Sequence, residues 1–315
     1  MQPALSIVFF TTSSGAGFAL LALLGLGAPL GFVLPQSSFG FVGLFVAVVL
    51  AAGGLFSSAV HLGRPERAWR ALSQWRSSWL SREGGLALLA FPLAAVFGIG
   101  WVFFGATGGF AGLCGILAAA LALATIWSTG MIYASLKPVH QWHNLWVVPG
   151  YLALGLMSGW LILGFLERLW GGWPVGATLL ALLATLVGWS IKEIYWRSID
   201  TLSAPSTVAS ATALGSRGKV RLFEAPHTEE NYLLREMGFR LARKHQVRLR
   251  VVARLAGFLA PALLSLFALF RPGSAGAVAA GLAVASAALG LVVERWLFFA
   301  EAKHTVTLYY GAESV

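Results

Sequence analysis

Charge is what this chain of 315 residues has least of: Asp, Glu, Lys and Arg together make up 11%. Ordinary soluble domains carry about 25%, so a water-exposed surface over the whole chain is excluded. Cysteine is scarcer still. The single Cys114 lies in an apolar run, which excludes a disulfide framework and any cysteine-ligated metal or cluster within the chain. Acidic residues are few beside basic ones, 12 against 22. The basic residues fall in blocks between apolar runs, the pattern of membrane loops and not of a nucleic-acid surface. Neither a zinc-ligand spacing nor a phosphate-cradling loop occurs.

What the sequence does contain is apolar length, with a mean hydropathy of +0.78. A bilayer core about 30 Å thick takes roughly 20 apolar residues as a helix. Eight segments meet that length, about 5–33, 40–62, 85–105, 110–135, 145–167, 174–195, 249–270 and 275–299. Each is continuously apolar without the alternation of a barrel strand. The expected fold is therefore an all-α integral membrane protein with eight transmembrane helices. The opening MQPALSIVFFTTSSGAG has no basic stretch before its apolar run and reads as a retained helix. Glycine-rich pieces such as GLGAPLG lie inside spans and suit close helix packing.

The connectors after spans one, three, five and seven (PQSSFG, FGATGG, ERLWGGWP, RPGSAG) are short and nearly uncharged. Those after spans two, four and six hold most of the basic residues, from Arg64, Arg67, Arg70, Arg76 and Arg82 to Lys137 and the run Arg240, Arg243, Lys244, Arg248. The positive-inside rule then predicts that this face and both termini are cytoplasmic. The sequence divides into spans one to six (1–195), a connector (196–248), and spans seven and eight with a short tail (249–315). Within the connector, 200–218 is small and polar and reads as irregular. Residues 228–247 suggest an amphipathic helix, with Thr228 or Asn231 as N-cap, lying on the inner leaflet or docking a partner.

Functional chemistry has few places to reside. The six histidines, 61, 140, 143, 227, 245 and 304, all fall at or beyond one end of the spans, away from the depth at which facing histidines clamp a haem. Glu193, Glu294, Pro92 and Pro261 are expected near span ends, so a mid-membrane transport site has little to build on. The segment HLGRPERAWRALSQWRSSWLSREGG (61–85) stands apart. Its tryptophans and arginines suit an interfacial belt or contacts with lipid phosphate or an acidic partner. His61 and Glu83 suit interfacial anchoring equally, or proton-coupled quinone chemistry.

That segment resembles the dimethyl sulfoxide reductase anchor-subunit family in its His-Leu-Gly-x-Pro stretch, its following arginine and its Ser-x-Glu. MIYASLKPVHQWHN and ERWLFFAEAKH extend the resemblance along most of the sequence. Members are membrane subunits of three-part molybdenum oxidoreductases. The resemblance implies a quinone (ubiquinone or menaquinone) as cofactor, and as partners an iron–sulfur subunit, a molybdopterin catalytic subunit and the lipid bilayer, with no nucleic acid. It places the quinone-site histidine at His61, the motif glycine at Gly63, the arginine at Arg67 and the carboxylate at Glu83, with Arg64, Tyr133, His140 and His143 as further candidates. His61 and Glu83 are the expected catalytic pair; no metal site is expected. The insert GSRGKVRLFEAPHTEENYLLREMGFRLARKH is similar to the membrane subunit of cytoplasmic sulfite-oxidising enzymes, which implies electron flow from sulfite to quinone. A reductase anchor oxidising quinol, a haem b bound through His143 or His304, a passive anchor and a secondary transporter are the alternatives.

Overall fold

The computed structural model describes residues 3–60, 64–172, 174–201, 206–221, 223–224, 241–310 and 312–315. Among the described residues, eight helices are long and apolar enough to cross a membrane. They are α1 (Leu5–Gly27), α2 (Ser37–Val60), α3 (Trp79–Phe104), α4 (Gly109–Ala134), α5 (Val147–Trp170) and α6 (Pro174–Thr201). Next come α7, which runs as Leu241–Arg254, a π-turn over Leu255–Leu259 and Ala260–Phe270, and α8 (Gly273–Ala300). Among the described residues there is no β-strand, only two isolated bridges.

Several boundaries differ from those read in the sequence, each for a local reason. Helix α1 stops at Gly27 and not near 33, because Gly31 turns the chain at φ +77°. Helix α3 starts at Trp79, where Ser78 caps it by accepting from the Ser81 N–H. Pro92 therefore lies well inside a helix and not near its end. Pro261 likewise lies inside α7, just after the π-turn; a wider turn accommodates a residue that has no N–H and crowds the preceding turn. Helix α6 continues to Thr201, since its polar end is paired: Glu193 takes Arg254 of α7 at 2.6 Å and Asp200 takes Arg250 at 2.6 Å. Residues 200–218 are not wholly irregular. A capping box at Thr207 and Ser210 starts a short helix, Val208–Thr212, followed by a 3-10 turn, Gly215–Arg217. The expected helix 228–247 lies outside the described residues up to 240, and from Leu241 the backbone already belongs to α7.

Two four-helix halves make up the bundle. Helix α1 packs against α2 and α4, and α3 against α4; in the second half α5 packs on α6, and α7 on α6 and α8. The halves meet where α1 and α4 contact α5, and where α1 touches α8. Small residues set the spacing. A Cβ added to Gly17 would stand 2.3 Å from the Ala51 nitrogen of α2, and one on Gly25 would stand 2.4 Å from the Gly115 carbonyl oxygen of α4. Cys114, also on α4, is free and buried.

One end of the bundle carries a cap made by the α4–α5 connector and the C-terminal tail. Val139 and His304 form an antiparallel bridge, and the Thr305 N–H donates to the Pro138 carbonyl at 3.0 Å. Trp142 Nε1–H donates to the Phe298 carbonyl at 2.9 Å, and the Val315 N–H reaches Ser206 O at 3.1 Å. Arg250 locks the tail from the side, donating to both Asp200 and Glu301.

Candidate functional site

The Ser78 cap starts α3 early enough that Glu83 is a helical residue pointing inward, and it is 2% exposed. The hydroxyl of Thr129 on α4 is its hydrogen-bond partner. That hydroxyl has a single proton yet faces two oxygens, Glu83 Oε1 and the Thr125 carbonyl at 3.0 Å. Both contacts are satisfied when Glu83 is the protonated acid: the carboxyl O–H donates to Thr129, and Thr129 donates to Thr125. A neutral acid is also the form that burial in an apolar bundle favours.

Tyr133 lies one turn beyond Thr129 on the same face of α4. Its ring stacks on Tyr151 of α5, with centroids 5.7 Å apart and planes 15° apart. The Tyr151 hydroxyl is buried with no hydrogen-bond partner. Aromatic rings of Trp142, Phe298 and Phe299 close over Tyr133 with centroids 5.3–5.5 Å away, separating this group from the cap.

Beyond Tyr151 the second half contributes charge. The Arg295 guanidinium of α8 stands 4.4 Å from the centroid of the Tyr151 ring and grips Glu294 through Nε at 2.5 Å and Nη2 at 3.0 Å. Lys192 of α6 pairs with the same carboxylate. All three side chains are buried. Two cations thus share one carboxylate, and the surplus positive charge meets ring faces instead: the Lys192 ammonium lies 4.0 Å from the Tyr195 ring and 5.0 Å from Trp196. Hydropathy alone puts Glu294 at a span end and does not single out Lys192, Arg295, Thr129 or Tyr151. The available signal is an ionisable residue inside an apolar helix, which is a functional candidate by default.

The remaining expected residues are dispersed. His61 and Gly63 lie outside the described residues. Arg64 is exposed at the start of a 3-10 helix, Pro65–Gln74, and Arg67, also exposed, stands 3.9 Å from Glu66. Neither bonds to Glu83. His143 is exposed and donates from Nδ1 to the Ala134 carbonyl at 2.7 Å. His140 lies 3.2 Å from the Ser206 hydroxyl, in the cap. Of the expected set, Glu83 and Tyr133 come together; the two histidines serve the connector. Among the described residues no cluster of three metal-ligating side chains occurs.

Residues 1–301 match the model of the family described as DMSO reductase anchor subunit. The sequence is 34% identical to the C subunit of sulfite dehydrogenase from Allochromatium vinosum over 334 aligned residues, spanning 98% of this protein and 99% of that one. With the C component of the anaerobic dimethyl sulfoxide reductase of Escherichia coli it shares 28% identity over 218 residues, 67% of this protein and 74% of that one. No solved structure matches it. Eight apolar spans with a family match over nearly their whole length mean that this chain belongs to the DMSO reductase anchor-subunit family, the membrane subunits of molybdenum oxidoreductase complexes.

Proposed function

We propose that this protein is the quinone-reactive anchor of a sulfite dehydrogenase, passing electrons from sulfite, oxidised in a molybdopterin subunit, through an iron–sulfur subunit to membrane quinone. The observation that carries this reading is the buried, protonatable Glu83, held by Thr129 beside the Tyr133–Tyr151 pair where the two halves meet. Likeness over the full length to a sulfite dehydrogenase subunit favours sulfite as the donor. A quinone, when bound, accepts two electrons and two protons. Glu83 holds one such proton on its carboxyl group and releases it at the Thr129 face. Thr129 fixes the orientation of that carboxyl, and Tyr133, one turn along α4, and Tyr151 stacked on it add hydroxyls on the side where the halves meet. His61 and Gly63, outside the described residues, take their quinone-binding role from the family resemblance. Exposed Arg64 and Arg67 suit docking to anionic lipid or an acidic partner surface, on the face that the charge distribution makes cytoplasmic.

The reverse direction, quinol oxidation by a dimethyl sulfoxide reductase, uses the same proton-carrying group and is favoured by the second relative. The test uses the intact complex. Glu83→Gln lowers quinone-linked sulfite oxidation by roughly 10²-fold, the usual worth of a general acid, relative to sulfite oxidation with an artificial acceptor in the same preparation. An unchanged ratio removes Glu83 from the reaction.

A further inference from the structure

Resting on the quinone reading above, we infer a lateral binding site for a prenylated quinone between the two halves: an apolar groove for the isoprenoid tail, with a polar end at Tyr151 and Arg295. The groove, a cavity of about 400 Å³, runs between α1, α2, α5 and α8 and is walled by residues such as Phe9, Ala16, Leu50, Phe165, Ala288 and Val292. That volume is in the range of small-molecule sites. Its walls are within the spans, so its occupant comes from the bilayer and is largely hydrocarbon.

Thr12, Ser158 and Leu291 belong both to this groove and to a narrow extension of about 20 Å³, room for one oxygen-sized group. The extension is also lined by Tyr151 and Arg295. Tyr151 is 5% exposed and its hydroxyl has no partner. An unmet buried hydroxyl beside a buried guanidinium is a costly arrangement unless a ligand atom supplies an acceptor. The hydroxyls at the junction have the opposite character. Thr12 donates to the Val8 carbonyl at 2.8 Å and Ser158 to the Leu154 carbonyl at 2.9 Å, so toward the groove each presents lone pairs.

This places donors and acceptors at one mouth. Tyr151 and Arg295 donate to a quinone carbonyl; Thr12 and Ser158 accept from a quinol hydroxyl. A ring at the inner end of the groove turns one oxygen into the extension. Tyr151, stacked on Tyr133, then lies between that oxygen and the Glu83 group. A phospholipid fills the groove with acyl tails alone and leaves Tyr151 and Arg295 unmet, since its headgroup stays at the membrane surface.

The probe is an azido-substituted quinone with a short isoprenoid tail, photolysed with the intact complex, and the readout is the labelled peptide. Label is expected on segments 9–16, 158–166 or 284–292, suppressed by excess prenylquinone. Ala288→Trp fills the groove and reduces labelling about tenfold, whereas Leu289→Trp, next in sequence and 70% exposed, leaves it unchanged. Tyr151→Phe keeps the fold's shape and raises the prenylquinone needed for half-suppression about fivefold, the worth of one net hydrogen bond. Label confined to other segments, full labelling of Ala288→Trp, or suppression by phospholipid alone overturns the inference. Groove labelling with an unchanged Glu83→Gln ratio retains this site and rejects the proton role; the opposite pair of results rejects this site alone.

Discussion

Glu294 is the residue on which the buried charges depend. Replacing it with Gln leaves Lys192 and Arg295 without a counter-charge inside the bundle, at a cost of about 3–5 kcal/mol. Lys192→Met keeps the Arg295–Glu294 pair and removes the surplus charge, so it costs little or stabilises. Thermal unfolding of the purified complex in detergent separates the two, and equal losses would contradict this account. Part of this site is legible in the sequence. Glu83 stands out in the 61–85 segment, and Tyr133 is a weaker candidate. Arg295 carries only the signal of a charge within an apolar span, and Thr129 and Tyr151 carry none, because spans apolar all round give no periodicity to tell which face looks inward. Their convergence depends on how four helices are rotated about their axes.

At the level of helices, α7 and α8 show how a single atom sets a contact. A Cβ on Gly290 would stand 2.1 Å from the Gly257 nitrogen, while one on Gly257 would come no closer than 3.4 Å to Gly290. Gly290→Ala therefore forces the helices apart and destabilises by about 1–3 kcal/mol, whereas Gly257→Ala finds ordinary contact space. Comparing the yield of folded protein and its melting temperature for the pair checks the asymmetry. That glycine serves helix packing is readable from composition. Which of two facing glycines is indispensable is not, since it follows from the π-turn over Leu255–Leu259 that displaces the α7 backbone at this point.

Taken whole, the molecule follows its hydropathy: eight spans are countable from length alone, and eight are present among the described residues. The division into two halves is not legible that way, because it depends on which helices touch. The cap adds a pH response. Burial pushes both His140 and His304 below the ordinary value of 6.5, and the neighbouring His143 adds to the shift at His140. His304 Nδ1 accepts from the Val306 N–H at 3.0 Å, which the protonated ring cannot do. A lowered pKa in the docked cap means that the undocked form binds protons first as pH falls. Docking is thus complete above about 6.5 and weakens as pH drops from there toward the lowered values. Protection factors of the amides in 304–315, with the intrinsic rate at each pH divided out, should fall as pH drops below about 6.5 by roughly the few-fold worth of a partial histidine shift, and His304→Gln should flatten the response. Cys114 gives the whole fold a practical property. Its thiol is sequestered on α4, so the native protein already behaves as a cysteine-free background. A cysteine placed at exposed Leu145 or Phe223 on the capped face, or at Ala106 on the opposite one, becomes the sole thiol within reach of a membrane-impermeant reagent. The molecule thereby carries its own means of reporting which way it sits in the membrane.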